Sequence, residues 1–238
     1  AGLVQIYTAS ENRLALQELL PEAIISCYDS YDDSQLSHLL DWADVVCIGC
    51  GLGMGQISEK ILKNVLKNVS CPCVIDADGL NLLSRNIELL NQCCAPVILT
   101  PHMKEMSRLT GWSIDTIMED RFQALDQIIK QSGPDTKSSI ICVLKDSRTV
   151  VAQTNRQRFV NLAGNNSMAK GGSGDVLAGT IAGLLAQHMA PFEATTVGVF
   201  LHACGGDEAK KSKGSYSVLA RDLIQGMADA MKNAKECR

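Results

Sequence analysis

Aromatic residues are scarce: they make up 4% of the 238 residues, so any large core must be mainly aliphatic. Basic charge is not in excess either. Lys and Arg total 22 against 26 Asp and Glu, a net charge of -4. The chain therefore lacks the electrostatic footprint of a nucleic-acid-binding protein. No apolar run reaches the length of a membrane span, and no signal-peptide pattern opens the chain, so a cytoplasmic setting away from membranes is expected. Internal repeats, low-complexity segments and linkers are absent, and one α/β domain over the whole chain is the expectation at this length. A composition of 46% hydrophobic and 20% charged residues excludes disorder.

Cysteine, in contrast, is abundant, with ten in all: Cys27, Cys47, Cys50, Cys71, Cys73, Cys93, Cys94, Cys142, Cys204 and Cys237. Cys47 and Cys50 form a CxxC, but no second CxxC follows and Cys47 lies in the apolar run VVCIG. Reduced, buried cysteines of a cytosolic protein fit better than a zinc or redox pair.

Apolar runs and helical patterns alternate along the chain. Strands are expected over 1–8, 44–49, 73–76, 96–100 and 140–144, with helices over 11–20, 36–42, 57–69, 80–84 and 104–110. Leu14, Leu16, Leu19 and Leu20 give the first helix an apolar side. Gly111 stops the helix that begins after His102. A long helix is expected over 115–132, broken by Gly133 and Pro134. Two short strands, 149–152 and 158–160, read as a hairpin turning at 153–157, the one antiparallel patch. Helices close the chain over 192–208 and 217–233. In the first of these, Ala203, Cys204, Gly205 and Gly206 imply close packing. Such alternation belongs to a mainly parallel sheet covered on both faces.

Polar residues gather where strands end, the place where open α/β sheets bind ligands. GCGLGMG follows the strand at 44–49. Asp76 and Asp78 follow the next strand, either facing a ligand or capping a helix. His102 follows the third and Lys145 the fourth. The densest signal is NNSMAKGGSGDVLAG at 165–179. There a glycine loop runs into a helix whose first N–H groups are unpaired and whose dipole is positive, an anion site. Asp175 stands beside it, positioned to take a proton or, on the bland reading, simply to cap the helix.

GGSGDVLAG resembles the GGTGDVLAG-type signature of the ADP-dependent NAD(P)H-hydrate dehydratases. Three further places agree in order and spacing: the loop around Gly53, DADGLN at 76–81 and LTPHMKEMSRLTG at 99–111. The similarity extends over nearly the whole chain, AGLV and SENR at the start included. It implies a ribokinase-like three-layer α/β/α fold with a mainly parallel central sheet and a short antiparallel hairpin, related to the kinase-like domain of bifunctional NAD(P)HX repair enzymes. It also implies that Gly53, His102 and Asp175 touch the hydrated dinucleotide (NADHX or NADPHX). Lys145, Asp146, Ser147, Arg148 and Thr149 would line ADP (or ATP), with Gly174 beside its phosphates, and Asp175 would be the catalytic base. The Gly172, Ser173 and Gly174 amides would form the anion hole. Mg²⁺ would bridge the phosphates without dedicated protein ligands, and a homotetramer is expected.

Two features depart from the family pattern. Asp146 stands where LKG is usual, and a carboxylate there is unfavourable unless it meets solvent or a cation. Relatives usually carry about forty residues upstream of AGLV, more than the roughly thirty of one βα unit, so a sheet lacking its first strand is expected. A vitamin-precursor kinase of the same superfamily and a non-catalytic nucleotide-binding subunit are the alternatives.

Overall fold

The computed structural model describes residues 1–131, 139–154 and 157–236. Gly133, Pro134 and Cys237 lie outside them, as do two positions of the 153–157 turn.

The chain begins with β1 (Gln5–Ala9), α1 (Arg13–Leu19) and β2 (Ile24–Tyr28), and the two strands pair in parallel as a small separate sheet. β2 is not expected from the sequence, where its short run comes after Pro21, Glu22 and Ala23. The apolar side read into α1 does not find a core: Leu14 is 70% and Leu19 75% exposed.

Then come α2 (Asp33–Trp42), β3 (Val46–Ile48), α3 (Gln56–Asn68), β4 (Cys73–Ile75), α4 (Ala77–Leu83), β5 (Val97–Leu99) and α5 (Met103–Thr110). Gly111 ends α5 in the left-handed region, as its position implies. The long helix expected over 115–132 is two, α6 (Ile114–Glu119) and α7 (Arg121–Gln131). Asp120 leaves helical geometry between them, and its carboxylate accepts the Gln123 N–H at 2.9 Å. A residue that caps from its own side chain competes with helix continuation.

β6 (Ile140–Leu144), β7 (Val150–Gln153) and β8 (Arg158–Val160) complete a six-stranded sheet in the order β3-β4-β5-β6-β7-β8. β3 to β6 are parallel and the hairpin β7–β8 is antiparallel. β6 also pairs antiparallel with β7, so the antiparallel region is wider than the hairpin.

Side chains alternate across a strand, and here the alternation sorts them into two cores. Ile48, Cys73, Ile75, Val97, Leu99, Ile140 and Cys142 pack with α3, α4, α5 and α7 on one face. Val74, Ile98, Ile141, Val143 and Val151 pack on the other with α8 (Ser173–Leu185) and α9 (Pro191–Lys213). This is the three-layer α/β/α arrangement. Each fully buried Leu or Ile contributes about 1.5–3 kcal/mol relative to exposure.

α9 packs along α10 (Ala220–Glu236) at the small residues singled out in the sequence. A Cβ on Gly226 would stand 2.1 Å from Gly205 O.

Candidate active site

The loop before α8 is tied down by its own polar residues. Asn165 caps a short 3₁₀ turn through Ser167 and donates to Asp207 Oδ1 of α9 at 2.7 Å. Gly172 then takes φ +86°, a conformation that favours glycine, and α8 begins. Ser173 N–H donates to Lys170 O at 3.2 Å, so this amide is not open to an anion, contrary to the sequence expectation. Among the described residues, the Gly172, Gly174 and Asp175 N–H groups have no acceptor, as the start of a helix requires. The Ser173 hydroxyl lies 3.3 Å from Nε2 of His202, which is buried in α9. Burial pushes the His202 pKa down to about 4, so its ring is neutral near pH 7.

Asp175 is exposed in the first turn of α8. It faces two residues from strand ends. Donor atoms of Cys50, Asp76 and Asp175 all lie within 4.8 Å of one another. Asp76 is only 1% exposed and makes no side-chain cap to α4; its Oδ1 accepts instead from Lys145 Nζ at 2.6 Å. Lys145 follows β6, where its N–H donates to Pro101 O at 2.8 Å beside His102.

His102 and Glu105 form a reciprocal cap on α5: Glu105 Oε2 accepts the His102 N–H at 2.8 Å, and His102 Nδ1 accepts the Glu105 N–H at 3.1 Å. Burial pushes the Glu105 pKa up, while the His102 N–H and the Lys145 charge oppose this. Gly174 sits over the ion pair; a Cβ there would be 3.0 Å from Lys145 Nζ and 3.5 Å from Asp76 Oδ2. Helix start, buried carboxylate and ammonium thus meet at the carboxyl ends of β3 to β6, as the open-sheet rule requires.

Gly53 lies on this rim at φ +78°, but its N–H donates to Asp78 Oδ2 at 2.9 Å and is not open to a ligand. Asp146, with Ser147, Arg148 and Thr149, forms the β6–β7 connection. The Asp146 carboxylate pairs with Arg121 at 2.7 Å, the cation that its position called for. Both side chains of this pair remain partly exposed at the turn. Beside this turn lies a groove lined by Phe122, Arg148, Val150, Val160 and Leu162.

Cys50, Asp76 and Glu105 are absent from the expected site residues, although each had a signal: Cys50 lies in GCGLGMG, Asp76 at a strand end and Glu105 in LTPHMKEMSRLTG. The cysteines also differ from expectation: Cys73, Cys93 and Cys142 are buried, but Cys47 and Cys50 are exposed at the site. The cluster of Cys50, Asp76 and Asp175 mixes a thiol with two carboxylates, one of them already matched by Lys145. The described residues therefore offer no self-sufficient cage for a hard cation.

Known proteins match this architecture. The chain is 37% identical over 193 residues, 81% of its length, to the "Bifunctional NAD(P)H-hydrate repair enzyme Nnr" of Moorella thermoacetica, of which the match spans 35%. It is 35% identical over 222 residues, 91% of its length, to the "ADP-dependent (S)-NAD(P)H-hydrate dehydratase" of Neisseria meningitidis, of which 73% is covered. In structure it resembles the ADP/ATP-dependent NAD(P)H-hydrate dehydratase of Bacillus subtilis, co-crystallised with ATP/Mg²⁺ and soaked with CoA. The TM-score is 0.78 at 27% identity, covering 98% of this chain and 81% of that one. The fold is ribokinase-like. Four bifunctional relatives are spanned over only 35% to 43% of their length. The family model described as NAD(P)H-hydrate dehydratase matches residues 1–228, and the chain belongs to that family.

Proposed function

We propose that this chain repairs hydrated NADH and NADPH, using ADP (or ATP) to dehydrate their S-epimer. The observation that carries this reading is the Asp175 carboxylate beside open N–H groups of Gly172 and Gly174, above the Asp76–Lys145 pair. Asp175 takes the proton of the ring hydroxyl, whose oxygen then attacks the terminal phosphoryl group of the nucleotide. The oxygen–phosphorus bond forms as the bridging bond to the rest of the nucleotide breaks. Open amides and the α8 dipole meet the charge on the transferring oxygens. Phosphate then departs with the ring oxygen, since it is a far better leaving group than hydroxide; the neighbouring ring carbon gives up a proton to solvent, the double bond forms between the two carbons, and the reduced nicotinamide returns. From ADP the other products are AMP and phosphate.

Lys145 is fixed by Asp76 within reach of a phosphate held over Gly174, and the groove at Phe122 and Arg148 suits an adenine. His102, 48% exposed in its side chain, borders the substrate side. Mg²⁺ would supply charge neutralisation to the phosphates, and Asp175 and Asp76 are the protein groups that would stand by it. The same reading places the protein in the cytoplasm as a homotetramer, which exposed Phe200 on α9 and Ile224 and Met231 on α10 support.

The test is incubation with hydrated NADH and ADP–Mg²⁺, following recovery of reduced-nicotinamide absorbance. Asp175→Asn is expected to lower turnover by roughly 10²–10⁴-fold while sparing nucleotide binding. Undiminished turnover would remove Asp175 as the base. A stable phosphorylated product without regained absorbance would favour the kinase alternative.

A further inference from the structure

Cys47 and Cys50 have no part in the reaction above, yet they stand at its edge. Cys47 is the middle residue of β3 and lies in register with Val74, which belongs to the apolar cluster under α8. Alternation therefore points Cys47 toward the α8 face, opposite Ile48. The chain then turns tightly, with Leu52 N–H donating to Gly49 O at 3.1 Å and Gly51 at φ +67°. This turn brings the Cys50 sulfur to the same face, within 4.8 Å of carboxylate oxygens of Asp76 and Asp175. Both cysteines are exposed, unlike the buried thiols of Cys73, Cys93 and Cys142. Sharing the Cys50 proton with the Cys47 sulfur pushes the Cys47 thiol pKa down and the Cys50 thiol up. Cys47 is thus the more acidic thiol of the pair, and Cys50, next to Asp175, the less acidic. Gly51 after Cys50 has open space around it, which leaves the chain on that side room to adjust toward the narrow geometry a disulfide requires.

We propose that Cys47 and Cys50 are a thiol-modification site, closing reversibly into a disulfide that draws the Cys50 sulfur off Asp175. The oxidant is a low-molecular-weight disulfide of the glutathione class. The Cys47 sulfur attacks one of its sulfurs, forming a mixed disulfide and releasing one thiol. Cys50 then gives up its proton and attacks the Cys47 sulfur, releasing the second thiol. The oxidant is reduced to two thiols and the two cysteines together lose two hydrogens. Closure redraws the 49–53 loop at the rim of the site, and turnover falls. That consequence rests on the function proposed above; formation of the bond does not.

The experiment treats the whole chain with oxidised glutathione, alkylates the remaining thiols and maps peptides by mass spectrometry. The expected result is one peptide holding both cysteines unalkylated and two hydrogens lighter, with dithiothreitol restoring two alkylation sites. Turnover is expected to fall several-fold and to return with the reductant, whereas Cys47→Ser, unable to close the bond, keeps its turnover through the same treatment. Persistent alkylation of both cysteines, under conditions that glutathionylate exposed Cys94, overturns the site. A disulfide that leaves turnover unchanged overturns its effect on the loop. A disulfide formed in a protein with no turnover when reduced sinks the functional reading and leaves the modification site standing.

Discussion

A neutral imidazole beneath the first turn of α8 is a pH-sensitive support of the candidate site. His202 has a pKa of about 4 in the fold against 6.5 for the free side chain, because burial penalises its charged form. The unfolded chain therefore binds the proton first as pH falls. The contribution is fully present above pH 6.5 and is lost progressively as pH drops toward about 4, at a cost of about 3 kcal/mol. Urea melts between pH 7 and pH 4.5 are expected to show this loss, and His202→Gln is expected to flatten the profile in that window; an unchanged slope in the variant would assign the loss to other groups. Asp146 makes the complementary point. As an isolated carboxylate near nucleotide phosphates it would be repulsive, and its pairing with Arg121 from α7 removes the conflict. A partner 25 residues away in sequence cannot be read from the local motif.

Elements meet at the site through close backbone approaches. The end of β3 docks on the start of α4, where Gly49 holds φ +122° and a Cβ would stand 1.8 Å from Asp76 O. No side-chain rotation relieves a clash with main chain. Gly49→Ala is expected to destabilise the fold by about 3 kcal/mol or more and to displace Asp76 from Lys145, read as a lowered denaturation midpoint with weakened nucleotide binding. A variant with parental stability would show that this junction yields. The boundaries of α5, β6, β7 and β8 were legible because period and punctuation agree there, as at Gly111. The break at Asp120 and the strand β2 were not: the first is a local side-chain cap on Gln123 that leaves the apolar period unchanged, and the second depends on pairing with β1.

At the scale of the whole molecule, two cores clamp one sheet, and the site lies where their strands end. A nucleotide bound across the α8 start, β6 and the β6–β7 turn would favour the native state of that entire frame. ADP with Mg²⁺ at a hundredfold excess over Kd is expected to raise the melting temperature by roughly 5–10 °C, from about 2.7 kcal/mol of linkage. No shift at saturation would remove the nucleotide site. Among the described residues no helix is long and apolar enough to cross a membrane.

The sequence by itself determined the alternation of strands and helices, the strand-end positions of Asp76, His102 and Lys145, and the glycine turn that opens α8. These follow from local period, punctuation and backbone freedom, which neighbouring residues carry. Only the tertiary structure decided that Lys145 neutralises a buried Asp76, that Ser173 and Gly53 spend their amides internally, and that Cys47 and Cys50 surface beside Asp175. Those outcomes are contests for partners between residues brought together by packing, and a linear pattern holds no record of which partner wins.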